Sequence, residues 1–194
     1  MFQKYRKLFI ALGIIIGIPL FVLMCCDVSI TRVGDVVLEE TETELESVDS
    51  MDVTSLELFD TEKGLTIKMS PAMEENKSGD HTVYYFSDAC MVSVKMIGFE
   101  ELVEAGTGSE KTTLEEYVKM VEEGNENITF TTDSYGNLST TYTAEGDDDE
   151  SFAYYVTVRK GSNAFWMVNF ACMEEMKDVY IPQFELWGST IEVQ

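Results

Sequence analysis

The sequence predicts an α+β fold, a mostly antiparallel sheet with flanking helices, preceded by one N-terminal transmembrane helix. Three observations support this prediction. An uncharged apolar run occupies residues 8–26, several later segments alternate apolar with polar residues, and two segments repeat apolar residues at helical spacing. Alternation is typical of strands with one buried face, whereas apolar residues at i, i+3, i+4 and i+7 indicate an amphipathic helix.

The N-terminal run LFIALGIIIGIPLFVLMCC predicts a signal anchor. It covers residues 8–26 without a charge, which is long enough for a helix to cross the hydrocarbon core. The basic residues of the tail 1–7 precede it, so we expect that tail in the cytoplasm and the C-terminal part outside the cell membrane. The alternative is a lipoprotein signal with acylation at Cys25 or Cys26, although Met24 is not the small residue that such processing prefers.

The charge of the chain excludes one class of partner. The 194 residues include 13 Lys and Arg and 36 Asp and Glu, for a formal net charge of -23. Three of the basic residues precede the apolar run, so the exported part is more acidic still. Proteins bind nucleic acid mainly through Lys and Arg, and we therefore expect no nucleic-acid partner. The expected contacts are with the membrane through residues 8–26 and with a protein or small ligand outside it.

Two regions follow the anchor. Residues 27–58 are acidic and poor in aromatics, and they predict an extended linker. Residues 59–194 are rich in aromatics and long enough for one exported domain with its own core. The strands expected in that domain are 64–71, 82–88, 89–99, 128–133, 138–144, 151–161 and 164–173, with a short closing strand at 189–193.

Two helices interrupt these strands. Thr113 begins a capping box with Glu116, an apolar stripe follows, and Gly124 supplies the C-terminal stop. The second helix covers residues 174–187. Pro182 falls within it, and we expect this proline to kink or divide the helix.

Three segments carry a family resemblance: GLTIKMSP, TLEEYVKMVEEG as the middle helix, and YYVTVRKGSNAFWMVNFACMEEMKDVYIPQFELWGSTIEV at the end. With these segments and this order of elements, residues 59–193 resemble the PsbP-like sandwich family. The family includes a photosystem oxygen-evolving subunit, a Ran-binding nuclear transport factor, and bacterial exported or membrane-anchored proteins of unknown function. The N-terminal anchor fits the last branch. The resemblance implies a sandwich fold and carries no activity with it.

Two cysteines lie on the expected core faces of strands. Cys90 and Cys172 would form a disulfide if their two strands are neighbours. The alternative is that both cysteines are buried free thiols, which pack as small apolar side chains. The sequence has a single histidine and no CxxC pair, so it predicts no zinc site.

An acidic turn offers the candidate cation ligands Asp147, Asp148, Asp149 and Glu150. Clustered carboxylates suit hard cations such as calcium, but the spacing of an EF-hand loop is absent. A charged hairpin loop is the alternative.

No set of residues matches a known catalytic arrangement, and nothing indicates a cofactor. The sequence favours a membrane-anchored extracytoplasmic binding or accessory domain without catalytic activity. The alternatives are a carboxylate-dependent envelope hydrolase and a cation-binding exported domain. The aromatic residues of the strands are expected to fill the core, unless an uncovered face leaves tyrosines to line a groove.

Overall fold

The computed structural model describes residues 56–76, 82–125, 128–145 and 150–194. Several predictions fall outside these residues: the tail 1–7, the anchor 8–26 with Cys25 and Cys26, nearly all of the linker 27–58, and the carboxylates Asp147, Asp148 and Asp149. Among the described residues, every helix is too short or too polar to cross a membrane.

The described strands form two antiparallel sheets, which confirms the predicted α+β class. A small sheet has the order β1-β2-β10, and a large sheet has the order β3-β4-β5-β9-β8-β7-β6. The strands are β1 (Glu57–Asp60), β2 (Leu65–Met69), β3 (Glu74–Asn76), β4 (Thr82–Phe86), β5 (Cys90–Gly98), β6 (Thr131–Thr132), β7 (Leu138–Glu145), β8 (Ser151–Lys160), β9 (Ala164–Met173) and β10 (Glu192–Val193). The helices are α1 (Phe99–Glu104), α2 (Leu114–Glu123) and α3 (Lys177–Ser189), and a 3-10 turn, Glu174–Met176, precedes α3.

The hairpin of β8 and β9 forms the centre of the large sheet. All residues of 152–158 and 164–172 are buried, although alternate residues point to opposite faces. Side chains on both faces are buried because each face of the hairpin packs against its own core. On one face, side chains of β2 and α3 pack against Tyr155, Phe170 and their neighbours. On the other, α1 and α2 pack against Val156 and Phe165.

The predicted capping box of α2 is confirmed. Thr113 Oγ1 accepts a hydrogen bond from the Glu116 backbone N–H at 3.1 Å, and Glu116 Oε2 accepts one from the Thr113 N–H at 2.8 Å. The helix then buries Tyr117, Val118 and Val121 against the sheet. The cap therefore fixes where α2 begins, and the apolar stripe fixes which face it buries.

We expect Thr113→Ala to lower the free energy of unfolding by about 1 kcal/mol, because it leaves a backbone N–H of the first turn without its acceptor. Thr113→Ser keeps the hydroxyl and should stay close to the parent protein. Urea unfolding of the three proteins measures the difference. Equal losses in the alanine and serine variants would contradict a role for the hydroxyl.

The last helix differs in part from the prediction. A 3-10 turn occupies the first residues of the predicted segment 174–187, and α3 then continues to Ser189 with Pro182 inside it. Pro182 lacks a backbone N–H and so removes one helical hydrogen bond, but it does not divide the helix. Phe184 and Trp187, both buried in the core, hold the following turns against the sheet.

Further elements differ from the sequence patterns, among them β1, the predicted strand 128–133 and helix α1. Strand β1 pairs with β2, so residues 57 and 58, predicted as linker, belong to a strand. The predicted strand 128–133 is reduced to Thr131–Thr132, because the Phe130 N–H donates to Glu122 Oε1 of α2 at 2.7 Å and not to a neighbouring strand. Helix α1 was not predicted because its six residues are too few to show a helical stripe.

Candidate functional site

Most of strand β7 has no neighbour on its outer side among the described strands. It pairs with β8 from Ser139 to Glu145, but with β6 only through Leu138 and Ser139. The stretch from Thr140 to Glu145 is therefore a sheet edge. Backbone N–H and C=O groups at such an edge can accept a further strand.

The register shows which backbone groups of β7 point outward. The Asp133 N–H donates to the Asn137 carbonyl at 2.9 Å, so the backbone of Asn137 faces β6. Backbone groups alternate in direction along an antiparallel strand. Thr141, Thr143 and Glu145 therefore turn their N–H and C=O groups to the open edge, and all three residues are exposed.

A cleft of about 520 Å³ lies between this edge and the beginning of α3. Its walls include Thr141 and Thr143 from β7 and, from α3, a charged pair followed by two apolar residues: Lys177, Asp178, Ile181 and Pro182. A volume of this size is typical of small-ligand sites, which combine an apolar lining with a few polar groups. The cleft can therefore accept side chains of a segment that lies along β7.

A second depression shares Lys177 and Asp178 with the cleft and is strongly acidic. Its other walls include the carboxylates of Glu150, Glu174 and Glu175. Lys177 Nζ lies 3.3 Å from Glu174 Oε1 in an exposed ion pair. Four carboxylates against one ammonium group make this end of the site favourable to positive charge.

Glu150 is the one candidate cation ligand of the acidic turn that the structure describes. Its Oε2 is buried and has no hydrogen-bond partner among the described residues. Within the same part of the chain, no three His, Cys, Asp or Glu side chains are grouped so that they could hold a metal ion. Asp147, Asp148 and Asp149 lie outside it, so the cation hypothesis stays a prediction.

The strands of the two cysteines are neighbours, which is the condition for a disulfide that the sequence left open. Cys90 on β5 and Cys172 on β9 face each other across neighbouring strands, and both are buried as free thiols. Burial raises the pKa of Cys90 to about 11 and that of Cys172 to about 12. The disulfide itself stays a prediction.

The aromatic residues of the strands are core residues. Tyr85, Tyr154, Tyr155, Phe165 and Trp166 are each buried. Tyr142 stacks on Tyr154 with ring centroids 4.8 Å apart. Tyr142 and Tyr154 also line the cleft beside β7, so the alternative of a groove lined by tyrosines stays a prediction.

A polar network that the sequence did not indicate joins the β6–β7 turn to the sheet and to α3. Asp133 Oδ2 accepts hydrogen bonds from the Tyr155 hydroxyl at 2.6 Å and from Asn137 Nδ2 at 2.9 Å. The Arg159 guanidinium donates to Asn137 Oδ1 and, at 2.9 Å, to the Gly188 carbonyl of α3. No sequence signal could have joined the turn to β8 and α3, because the contacts of Tyr155 and Arg159 in this network span 22 to 29 positions.

Asp133 should make stability depend on pH. Burial alone would raise the pKa of its carboxyl, but hydrogen bonds from Tyr155 and Asn137 outweigh burial and hold that pKa below its usual value. A carboxyl whose pKa is lower when folded stabilises the protein above its unfolded pKa, and this contribution is lost as the pH falls through the folded pKa.

We therefore expect the stability difference between the parent protein and Asp133→Asn to be largest near neutral pH and to shrink below about pH 4. Urea unfolding of both proteins across a pH series measures it. The comparison cancels the titration of the other carboxylates. A difference that is constant over the series would contradict the lowered pKa of Asp133.

Comparisons with known proteins show no family model and no curated protein that matches this chain. Solved structures are similar to it at low sequence identity. A crystal structure from Bacteroides thetaiotaomicron has a TM-score of 0.49 and 7% identity over 67% of this chain, which spans 45% of that protein. Cyanobacterial PsbP (CyanoP) from Synechocystis has a TM-score of 0.42 and 14% identity over 77% of this chain and 99% of its own. A point mutant of protein Mog1 has a TM-score of 0.45 and 8% identity over 71% of this chain and 95% of its own. The likenesses concern shape and carry no inference about ligand, activity or location.

Proposed function

We propose that this chain is a membrane-anchored extracytoplasmic binding or accessory domain that takes an extended peptide along the edge of β7. The open edge beside the α3 cleft is the observation that carries the proposal. In this mode of recognition a peptide adds as a strand, main-chain hydrogen bonds give affinity, and pockets for alternate side chains give specificity.

The geometry suits a peptide of alternating side chains. Thr141 and Thr143 offer outward backbone groups, while their side chains line the cleft. A strand added at this edge would place every second side chain over the cleft, where Ile181 and Pro182 offer apolar surface. Its remaining side chains would lie on the opposite face.

The charge of the site favours a basic peptide. Glu150, Glu174, Glu175 and Asp178 line the neighbouring depression, and Lys177 is the one basic residue among its described walls. The chain as a whole carries a net charge of -23. Attraction between opposite charges raises the association rate and excludes acidic competitors.

Binding can be tested on the purified chain with a short labelled peptide of alternating Lys and Val. We expect fluorescence anisotropy to show binding to the parent protein, weaker binding at high salt, and no binding of a matched Glu–Val peptide. Thr143→Pro removes one outward N–H and should abolish binding, whereas Thr143→Val keeps that N–H and should retain it. Equal binding by the proline and valine variants would overturn the edge-strand mode.

The location can be tested separately in intact bacterial cells that express the chain. Tyr135 lies in an exposed turn and is 52% accessible, so a Tyr135→Cys variant offers a thiol at the surface. We expect a membrane-impermeant maleimide to label this variant more strongly than the parent chain. Labelling that appears only after the cells are lysed would overturn the extracytoplasmic location.

A carboxylate-dependent envelope hydrolase is the second candidate, because several carboxylates line the acidic depression and Glu150 Oε2 is buried without a partner among the described residues. Neutralising Glu150 as Glu150→Gln, with exposed Glu57→Gln as the control, tests it. If Glu150→Gln loses the hydrolysis of a glycan or peptide substrate while Glu57→Gln keeps it, the result would favour this candidate. Hydrolysis that both variants retain would exclude Glu150 from it.

A further inference from the structure

Cys90 and Cys172 occupy opposite positions on the two neighbouring strands β5 and β9. The register of nine residue pairs runs from Cys90↔Cys172 to Gly98↔Ala164 without interruption. Cys90 is 1% exposed and Cys172 is fully buried. The pair therefore lies at one end of a long ladder that fixes both backbones.

The ladder also shows which type of pair this is. The Phe99 N–H donates to the Asn163 carbonyl at 3.0 Å, so these two residues form a hydrogen-bonded pair one step beyond Gly98↔Ala164. Hydrogen-bonded and non-hydrogen-bonded pairs alternate along an antiparallel ladder. Cys90 lies an odd number of steps from Phe99, so Cys90↔Cys172 is a non-hydrogen-bonded pair.

The other side of β9 gives the same result. The Gly161 N–H donates to the Ala164 carbonyl at 2.9 Å, so the backbone of Ala164 faces β8. Cys172 lies an even number of residues from Ala164 and also turns its backbone to β8, away from Cys90. Non-hydrogen-bonded pairs have Cα atoms about 4.5 Å apart, within the range of roughly 4.4–6.8 Å that disulfides span.

The surroundings of the two thiols are mostly apolar. Cys90 Sγ lies 3.7 Å from Met73 Sδ and 3.5 Å from Ser87 Oγ. Ser87 Oγ also accepts hydrogen bonds from the backbone N–H groups of Ala89 and Cys90, so it does not depend on the thiol. Tyr180 of α3 packs against the apolar cluster that contains both cysteines. Joining the two sulfurs would leave no polar group without a partner.

We propose that Cys90 and Cys172 form a structural disulfide that ties β5 to β9 under α3. A thiolate of one cysteine attacks a disulfide-bearing oxidant, such as oxidised glutathione or an oxidoreductase disulfide, and displaces one thiol of it. The second cysteine then attacks the mixed disulfide and releases the other thiol. The oxidant gains the two electrons and two protons that the cysteines lose.

The bond forms before the domain is closed. Once α3 packs on the sheet, both thiols are buried and hold their protons, so neither attacks an oxidant readily. In the unfolded chain the same thiols are exposed. After closure the bond is shielded from reductants in the same way.

Peptide mapping of the full chain tests the proposal directly. The chain is extracted without reductant from cells that export it, denatured, and treated with N-ethylmaleimide. We expect a linked peptide pair that contains residues 90 and 172, with no maleimide on either. Maleimide on both residues would overturn the disulfide.

A thermal measurement gives a second readout. The chain is unfolded, treated with a reductant and refolded. We expect its melting temperature to be lower than that of the untreated chain by roughly 10 °C, because the disulfide closes a long loop. The double variant Cys90→Ala, Cys172→Ala should not respond to the reductant. The control Cys25→Ser, Cys26→Ser should respond as the parent does. An equal melting temperature of the oxidised and reduced parent chain would contradict the proposal.

Discussion

Replacing Trp187 with alanine should lower the free energy of unfolding by about 3–5 kcal/mol, the largest effect we expect from a single substitution. Trp187 is 1% exposed on the face of α3 that packs on the large sheet. Its ring lies against Phe184 and Phe170, at centroid distances of 5.7 and 6.4 Å. Alanine would leave a cavity that the rigid β8–β9 hairpin cannot fill.

Chemical unfolding measures this loss, and Tyr135→Ala is the matched control. Tyr135 is also aromatic, but it is 52% exposed, so its removal should change stability by about 0.5 kcal/mol or less. If the two substitutions had similar effects, α3 would not pack on the sheet as described.

The close fit of α3 is visible also at Gly188, where an added Cβ would lie 3.0 Å from the Tyr155 hydroxyl.

Replacing Arg159 with leucine should cost about 2–3 kcal/mol. Its guanidinium donates to Thr157 Oγ1 at 2.6 Å, to the Val158 and Gly188 carbonyls, and to Asn137 Oδ1. Leucine fills part of the same volume but leaves these half-buried acceptors without their donor. The link that Arg159 makes between Asn137 of the β6–β7 turn and Gly188 of α3 would be lost, while the hydrogen bond from Ser134 Oγ to Glu185 Oε2 would remain.

Lys119→Leu is the control for this substitution, because it removes the same charge from an exposed position. The Lys119 side chain is 73% accessible and reaches Glu123 at 3.9 Å, an ion pair worth little in water. We expect urea unfolding to show a small change for Lys119→Leu and a large one for Arg159→Leu. Equal changes would mean that net charge, and not the network, sets the stability.

The sequence predicted those parts of the fold that depend on local pattern. The shared face of Cys90, Val92 and Val94 in β5 and the capping box of α2 each concern residues close together in the chain, and both are confirmed. The run Ala164–Met173 was recognised as a strand although both of its faces are buried, because its residues are β-formers that follow a hairpin turn.

The candidate site could not be predicted because it depends on sheet order. That most of β7 has no outer neighbour among the described strands follows from the shortness of β6, and the sequence predicted a full strand there. That Cys90 faces Cys172 follows from β5 lying beside β9, which are separated along the chain by two helices and three strands. Contacts of this range leave no period or spacing in the sequence.

Amide hydrogen exchange with the Lys–Val peptide tests the binding account most directly. The N–H groups of Thr140, Tyr142 and Ala144 face β8 and should exchange slowly with or without peptide. Those of Thr141, Thr143 and Glu145 face the open edge, and we expect them to exchange fast in the free protein and slowly when the peptide is bound. This alternate protection along β7 would show that the peptide adds as a strand. If these three amides still exchange fast while the peptide is bound, the account would be contradicted.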